Sequence, residues 1–379
     1  MHKIRAGLKT AAILTTFTLT SLAATQACAQ VNSIFPPGWD SNVRDRLFMR
    51  LGYTSVFTKT KSDEARDITG DVVSSAELKN AIKECAVSGN SSDRTFCNEF
   101  AGPLFFGLDS FALADPNAQP DADSFFGITG LSGIGTPKGI KAKAQRNVGT
   151  PTVSIGYWID DDHKWLVEGF VLAAPLKIKI YGDGVRADGV TPNGVNGKHL
   201  ATTKLLPPLV IASYNFGSKT DRIRPYIGLG VMYAVFFDGK PTEFFNDYQG
   251  GKTTLTTKNT FGAGPFAGIQ TAIDDNWHVN LSLGRVNLRT TSRLVTSNTN
   301  ITSQSAVLQD ISATGTGDAS NFPSLVELGE GSTPEGGFTT RLMDIVKAQR
   351  GSNSLGTYVR EQKMKITNTI VTLSVGRSF

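Results

Sequence analysis

Histidine and cysteine are scarce in this chain, and both shortages narrow what it can do. The sequence has four histidines in 379 residues. One lies in the N-terminal leader described below, which leaves His163, His199 and His278. None of the three falls where a serine nucleophile and its base would share one rim, so a hydrolase or acyltransferase is not expected and the chain reads as a non-enzyme. Each of the three reads as a solvated or interface side chain. Zinc-ligand spacing and a glycine-rich phosphate loop are also missing, so no metal and no cofactor is expected. Of three cysteines, Cys28 belongs to the leader. Cys85 and Cys97 remain, an even number, and are expected to form a local disulfide in an oxidising compartment. Charge is thin as well, at 19% of residues against about 25% in soluble domains. The formal charge of +5 falls to +2 once Lys3, Arg5 and Lys9 of the leader are set aside, too little to imply nucleic acid. Beyond the leader no run of about 18 apolar residues exists, which excludes membrane-spanning helices.

The leader has the form of an export signal. Lys3, Arg5 and Lys9 precede an uncharged apolar stretch over 11–24, and Ala27-Cys28-Ala29 is a small-x-small cleavage site. Cleavage is expected between Ala29 and Gln30, making 1–29 the signal peptide and 30–379 the mature protein. The apolar stretch is too short to serve as an anchor helix.

The mature chain is dominated by strict two-residue alternation. Around the turn at 217–222, residues 206–216 and 223–237 read as paired strands. In the second of them Ile227, Leu229, Val231, Tyr233, Val235 and Phe237 form an unbroken apolar row, which lines one face of a strand. Further strands are expected at 45–58, 150–159, 165–181, 261–273, 277–294 and 365–379. That makes eight, joined by connections that alternate long and short, the pattern of outer-membrane barrels. Two connections, 59–147 and 296–363, are far longer than ordinary loops. Ser74-Ser75-Ala76-Glu77 is a capping-box pattern that starts a helix in the first. A helix over 338–350, stopped by Gly351, is expected in the second. The fold class expected is therefore all-β: an eight-stranded antiparallel transmembrane barrel whose two very long extracellular loops carry short helices. The alternating segment 370–379 closes on Phe379, as final strands recognised by the barrel assembly machinery do.

Several segments resemble the OmpW family of small outer-membrane barrels, which includes AlkL-type proteins. The resemblance rests on Arg50-Leu51-Gly52, Ala173-Ala174-Pro175, Leu206-Pro207-Pro208 and Phe216-Gly217. It rests further on Arg224-Pro225-Tyr226-Ile227-Gly228-Leu229-Gly230 and on the closing Gly376-x-x-Phe379. It implies the outer membrane of a Gram-negative bacterium, surrounded by lipid and lipopolysaccharide. It also implies a mostly apolar lumen that passes small hydrophobic molecules inward.

The strand phases give the lumen directly. Near the periplasmic end the inward residues are polar: Arg50, Glu168, Asn280, Gln270, Ser213 and Ser374. Arg50 and Glu168 stand at similar height and are expected to pair, since an inward charge in a narrow bore must be neutralised. Higher up the inward row is apolar: Val56, Phe170, Leu172, Ile211, Met232, Phe236, Val286 and Ile370. An aqueous pore is polar throughout, and eight strands leave room for side chains or one small ligand. An apolar cavity above a polar plug is thus expected, with solute leaving sideways between strands. The alternative is a structural, adhesion or receptor barrel whose long outer loops bind a partner.

Overall fold

A computed structural model describes residues 43, 45–87, 133–135, 139–185, 189–190, 192–301 and 338–379. The cleavage site at Ala29 and Gln30 and the Cys85–Cys97 pairing lie outside what it describes. Eight strands make the wall: β1 Leu47–Ser62, β2 Asn147–Trp158, β3 Trp165–Leu172, β4 Leu209–Asn215, β5 Ile223–Pro241, β6 Thr260–Ala272, β7 Trp277–Ser297 and β8 Tyr358–Ser378. Each pairs antiparallel with the next, and β1 pairs with β8 from Phe48↔Ser378 to Ser62↔Met364, closing the ring. Among the described residues the three helices have 13, 7 and 12 residues, too short to cross a bilayer.

The alternation sorts side chains as a membrane barrel requires. Tyr53, Ile155, Val210, Ile227, Leu229, Val231, Ile269, Leu281 and Leu283 are large, apolar and exposed on the outside. Their strand neighbours point inward and are buried. Soluble proteins rarely expose so broad an apolar surface, whereas lipid accepts it.

Strand three, expected to run unbroken over 165–181, is broken once, and strand four, expected from 206, begins at Leu209 after a separate strand. The reason is proline. β3 ends at Leu172, and a strand resumes at Leu176–Asp183 after Ala173-Ala174-Pro175. The strand His199–Leu206 stops at Pro207-Pro208 before β4. Proline has no N–H to give to a ladder. Between Leu209↔Phe170 and Leu176↔Leu205, five residues of one chain segment therefore face three of the other. On the opposite side the β2–β3 ladder stops at Thr152↔Leu172 and pairing resumes only at Ala144↔Ile180. Bonds from Ala173 N–H to Pro151 O and from Gln145 N–H to Lys179 O bound this second interruption.

At the long-loop end the strands run past the apolar band. β1 continues to Ser62 and β8 starts at Tyr358, so the expected loops 59–147 and 296–363 contain strand residues. The alternation there pairs polar with polar residues and carries no apolar signal. Above them sits a cap with its own core. Helix α1 (Ser75–Val87) begins as the capping box predicts, with Ser74 N–H donating to Glu77 Oε2 at 2.9 Å and Glu77 N–H to Ser74 Oγ at 3.3 Å. Helix α2 (Glu243–Gln249) starts at Thr242, whose hydroxyl accepts from Phe245 N–H. Helix α3 (Phe338–Gln349) ends before Gly351, at φ 61°. Val73, Leu78, Ile134, Tyr248, Met343 and Val346 are among the buried residues that join these helices into one apolar cluster.

Arg350 ties α1 to α3. It donates to both carboxylate oxygens of Glu77, at 2.7 and 2.8 Å, and to the carbonyls of Val72 and Leu355. The Arg350 hydrogen bonds hold the Glu77 carboxyl well below its ordinary range, at about 2. A depressed folded-state pKa stabilises above the unfolded value and loses that contribution on acidification. The cap should therefore loosen as pH falls from 4.5 towards 2. Limited proteolysis across this range should show it first in α1, and Glu77→Gln should remove the pH dependence.

A layered lumen as the candidate functional site

The inward row of β1 passes through every layer of the lumen: Phe48, Arg50, Gly52, Thr54 and Val56. At the short-turn end Phe48 packs with Trp158 and Leu166, all at most 3% exposed. His163, in the β2–β3 turn with φ 53°, stacks on Trp158 at 4.9 Å between ring centroids. Burial, with Lys219 and Arg224 nearby, pulls its pKa down to about 4, so the ring is neutral near pH 7. Arg224 lies over the Trp158 ring and donates to the His163 carbonyl at 2.5 Å. This aromatic layer seals the mouth.

The second layer is built around Arg50, which is 1% exposed. Its guanidinium carries donors in a fixed plane, and each reaches a different strand. Nη1 donates to Glu168 Oε2 on β3 at 2.5 Å, Nη2 to Gln270 Oε1 on β6 at 2.8 Å, and Nε to His278 Nε2 on β7 at 2.9 Å. Because His278 Nε2 accepts, its proton sits on Nδ1. Ser154 on β2 donates to the other Glu168 oxygen at 2.6 Å, so both carboxylate oxygens are engaged. Gly376 makes room for the group: a Cβ there would lie 2.5 Å from Arg50 Cγ and 2.6 Å from His278 Nε2. The Arg50–Glu168 pair expected from the strand phases is thus part of a five-residue network. His278 is buried within it, at 3% exposure, and is not the solvated or interface side chain expected. It shares the parity of Asn280 and Val286 on β7, and that parity was the signal for its direction. His199 bonds Ala201 O and Thr202 Oγ1 outside this layer.

Above the charged layer Thr54 Oγ1 meets Thr152 and Thr372 hydroxyls at 2.7 and 2.8 Å. The next layer is apolar. Phe170, Leu172, Ile211, Met232, Phe236, Val286 and Ile370 come together there, with Leu176, Ile178, Leu205, Leu209, Phe266 and Leu288. Met232 is 3% exposed and Val286 0%. These side chains fill the bore themselves, so the open apolar cavity expected is replaced by a packed apolar plug. The interrupted wall accounts for this, since the strands Leu176–Asp183 and His199–Leu206 beyond the prolines supply Leu176, Ile178 and Leu205. Among the described residues no three His, Cys, Asp or Glu side chains gather as a metal site would need.

A family model for the OmpW family matches residues 122–312, just over half of the chain. Outer membrane protein W of Escherichia coli (strain K12) is 34% identical over 122 residues, 32% of this chain and 50% of that protein. Outer membrane protein W of Vibrio cholerae serotype O1 is 29% identical over 142 residues, covering 37% and 59%. The chain therefore spans about half the length of the curated relatives it matches. Among solved structures, the outer membrane protein OprG from Pseudomonas aeruginosa aligns with a TM-score of 0.45 and 13% identity. That alignment covers 88% of this chain and 96% of that one.

Proposed function

Since this chain belongs to the OmpW family, and so to the outer membrane of Gram-negative bacteria, we propose that it is a channel for passive uptake of small hydrophobic molecules. The short-turn end then faces the periplasm and the capped end faces outward. The observation that carries this reading is the order of layers. An apolar plug lies on the outer side of a charged layer in which every Arg50 nitrogen is bonded across the bore. Inserting an apolar solute among Phe170, Met232 and Phe236 strips water from no polar group. Passing the Arg50 layer would break a buried ion pair. The cheaper exit is sideways. The wall interruptions at Ala173-Ala174-Pro175 and Pro207-Pro208 adjoin Phe170 and Leu209, and the solute would leave there into the bilayer. The packed plug makes the resting channel closed, and solute entry displaces its side chains.

The test compares flux of one hydrophobic and one hydrophilic solute through reconstituted protein. Met232→Asp should cut the hydrophobic flux several-fold while heat-modifiable gel mobility reports an intact barrel; Met232→Gln, with no charge, should act in the same direction. Dominant hydrophilic flux in the parent, or no change in either variant, overturns the reading. The outer cap with its own core would then be the functional part, as an adhesion or receptor surface.

A further inference from the structure

We propose that the outward face of β1, β8 and β7 carries a binding site for the phosphorylated headgroup of lipopolysaccharide. The registers Lys61↔Lys365 and Arg289↔Lys365 set three cations side by side on three neighbouring strands. Lys61, Lys365 and Arg289 are all exposed on the outside of the wall. Like charges directly opposite each other destabilise a sheet, so the row calls for an anion. Beside it lies a cleft of about 330 Å³ lined by Lys258, Arg289, Lys363, Lys365 and one carboxylate, Asp63. None of these residues, nor Lys61, makes an ion pair among the described residues. Thr260, Asn259 and Thr291, with Thr290 and Met364, also line the cleft, and the first three offer hydroxyl and amide groups suited to a sugar.

Height selects the ligand. On these strands the outward rows are apolar through Leu373 with Leu281 and Val371 with Leu283. Arg285 stands one row above Val371, Lys59 two rows above, and Lys61, Lys365 and Arg289 three rows above. The cations therefore begin where lipid tails end, with side chains long enough to reach down to headgroups. On the outer leaflet that zone holds lipid phosphates, which take charge-assisted bonds from Lys and Arg.

The test titrates the full mature protein, in non-ionic detergent, with deep-rough lipopolysaccharide carrying both phosphates, followed by native mass spectrometry. The triple variant Lys61→Gln, Arg289→Gln, Lys365→Gln should bind at least about tenfold more weakly. Lys177→Gln with Lys179→Gln, the same kind of charge loss on another strand, should leave binding unchanged. Chemical dephosphorylation of the lipid should weaken binding as much as the triple variant does. If the triple variant misfolds, Lys365→Gln alone, central in the row, should act in the same direction. Unchanged affinity in the folded variants, or equal binding of dephosphorylated lipid, overturns the proposal. Displacement of the lipid by inorganic phosphate at comparable concentration also overturns it, since the site would then serve a free anion.

Discussion

Arg50→Ala should cost about 3–5 kcal/mol of barrel stability, because it strands the Glu168 carboxylate inside the wall with no cation. Glu168 is 4% exposed and would keep only the Ser154 hydroxyl. The comparison that isolates the charge effect is a double replacement, Arg50→Met with Glu168→Leu. Removing a buried ion pair in favour of apolar residues of similar volume is often near neutral, whereas removing one partner is not. Urea unfolding midpoints in lipid vesicles should therefore order the proteins as parent and double variant close together, with Arg50→Ala well below. A loss under about 1 kcal/mol in Arg50→Ala would mean that water replaces the guanidinium and that the layer is not dry. Arg50→Ala should leave both hydrophobic flux and small-ion conductance unchanged, since the apolar plug above it is untouched.

Val231→Arg should destabilise the barrel by about 2–4 kcal/mol, the usual penalty for arginine on the lipid face near the bilayer midplane. Val231 is 51% exposed, midway along the outward row of β5 and opposite Val210, itself 51% exposed. In water such exposure would make the substitution nearly free. The size of the effect thus measures the solvent around the wall. Refolding yield and urea midpoint in vesicles should both fall. Unchanged values would place Val231 against protein or water and invert the assignment of faces.

The strand phases were legible because the apolar rows are long. Leu229, Val231 and Tyr233 on β5 and Phe170 and Glu168 on β3 all point where alternation puts them. The break in strand three was hidden by the same signal: Phe170, Leu176 and Ile178 keep even parity across Pro175, so the apolar row reads as continuous through it. The upper ends of β1 and β8 were hidden for the opposite reason. On β8, Glu361 and Lys363 alternate with buried Arg360 and Gln362, and a polar interior gives no contrast to read. The inward direction of His278 is carried by its even parity on β7 and not by its residue type, which suits a solvated or interface position equally well.

The Arg50 network also bears on how the chain reaches this state. β1 is bonded to β2 and β8, yet Arg50 finds its partners on β3, β6 and β7, at sequence separations of 118, 220 and 228 residues. No hairpin can form any of these three bonds. Glu168 lies two strands from Arg50 across β2, but Gln270 and His278 lie beyond the closing β1–β8 seam, so a half-built wall holds the inward guanidinium with only part of its compensation. The bonds to Gln270 and His278 arrive together when the first strand meets the last. Ring closure is then an all-or-none event, and Arg50 acts as its latch: substitutions at Glu168, Gln270 or His278 should speed opening of the seam more than they slow pairing of any one hairpin.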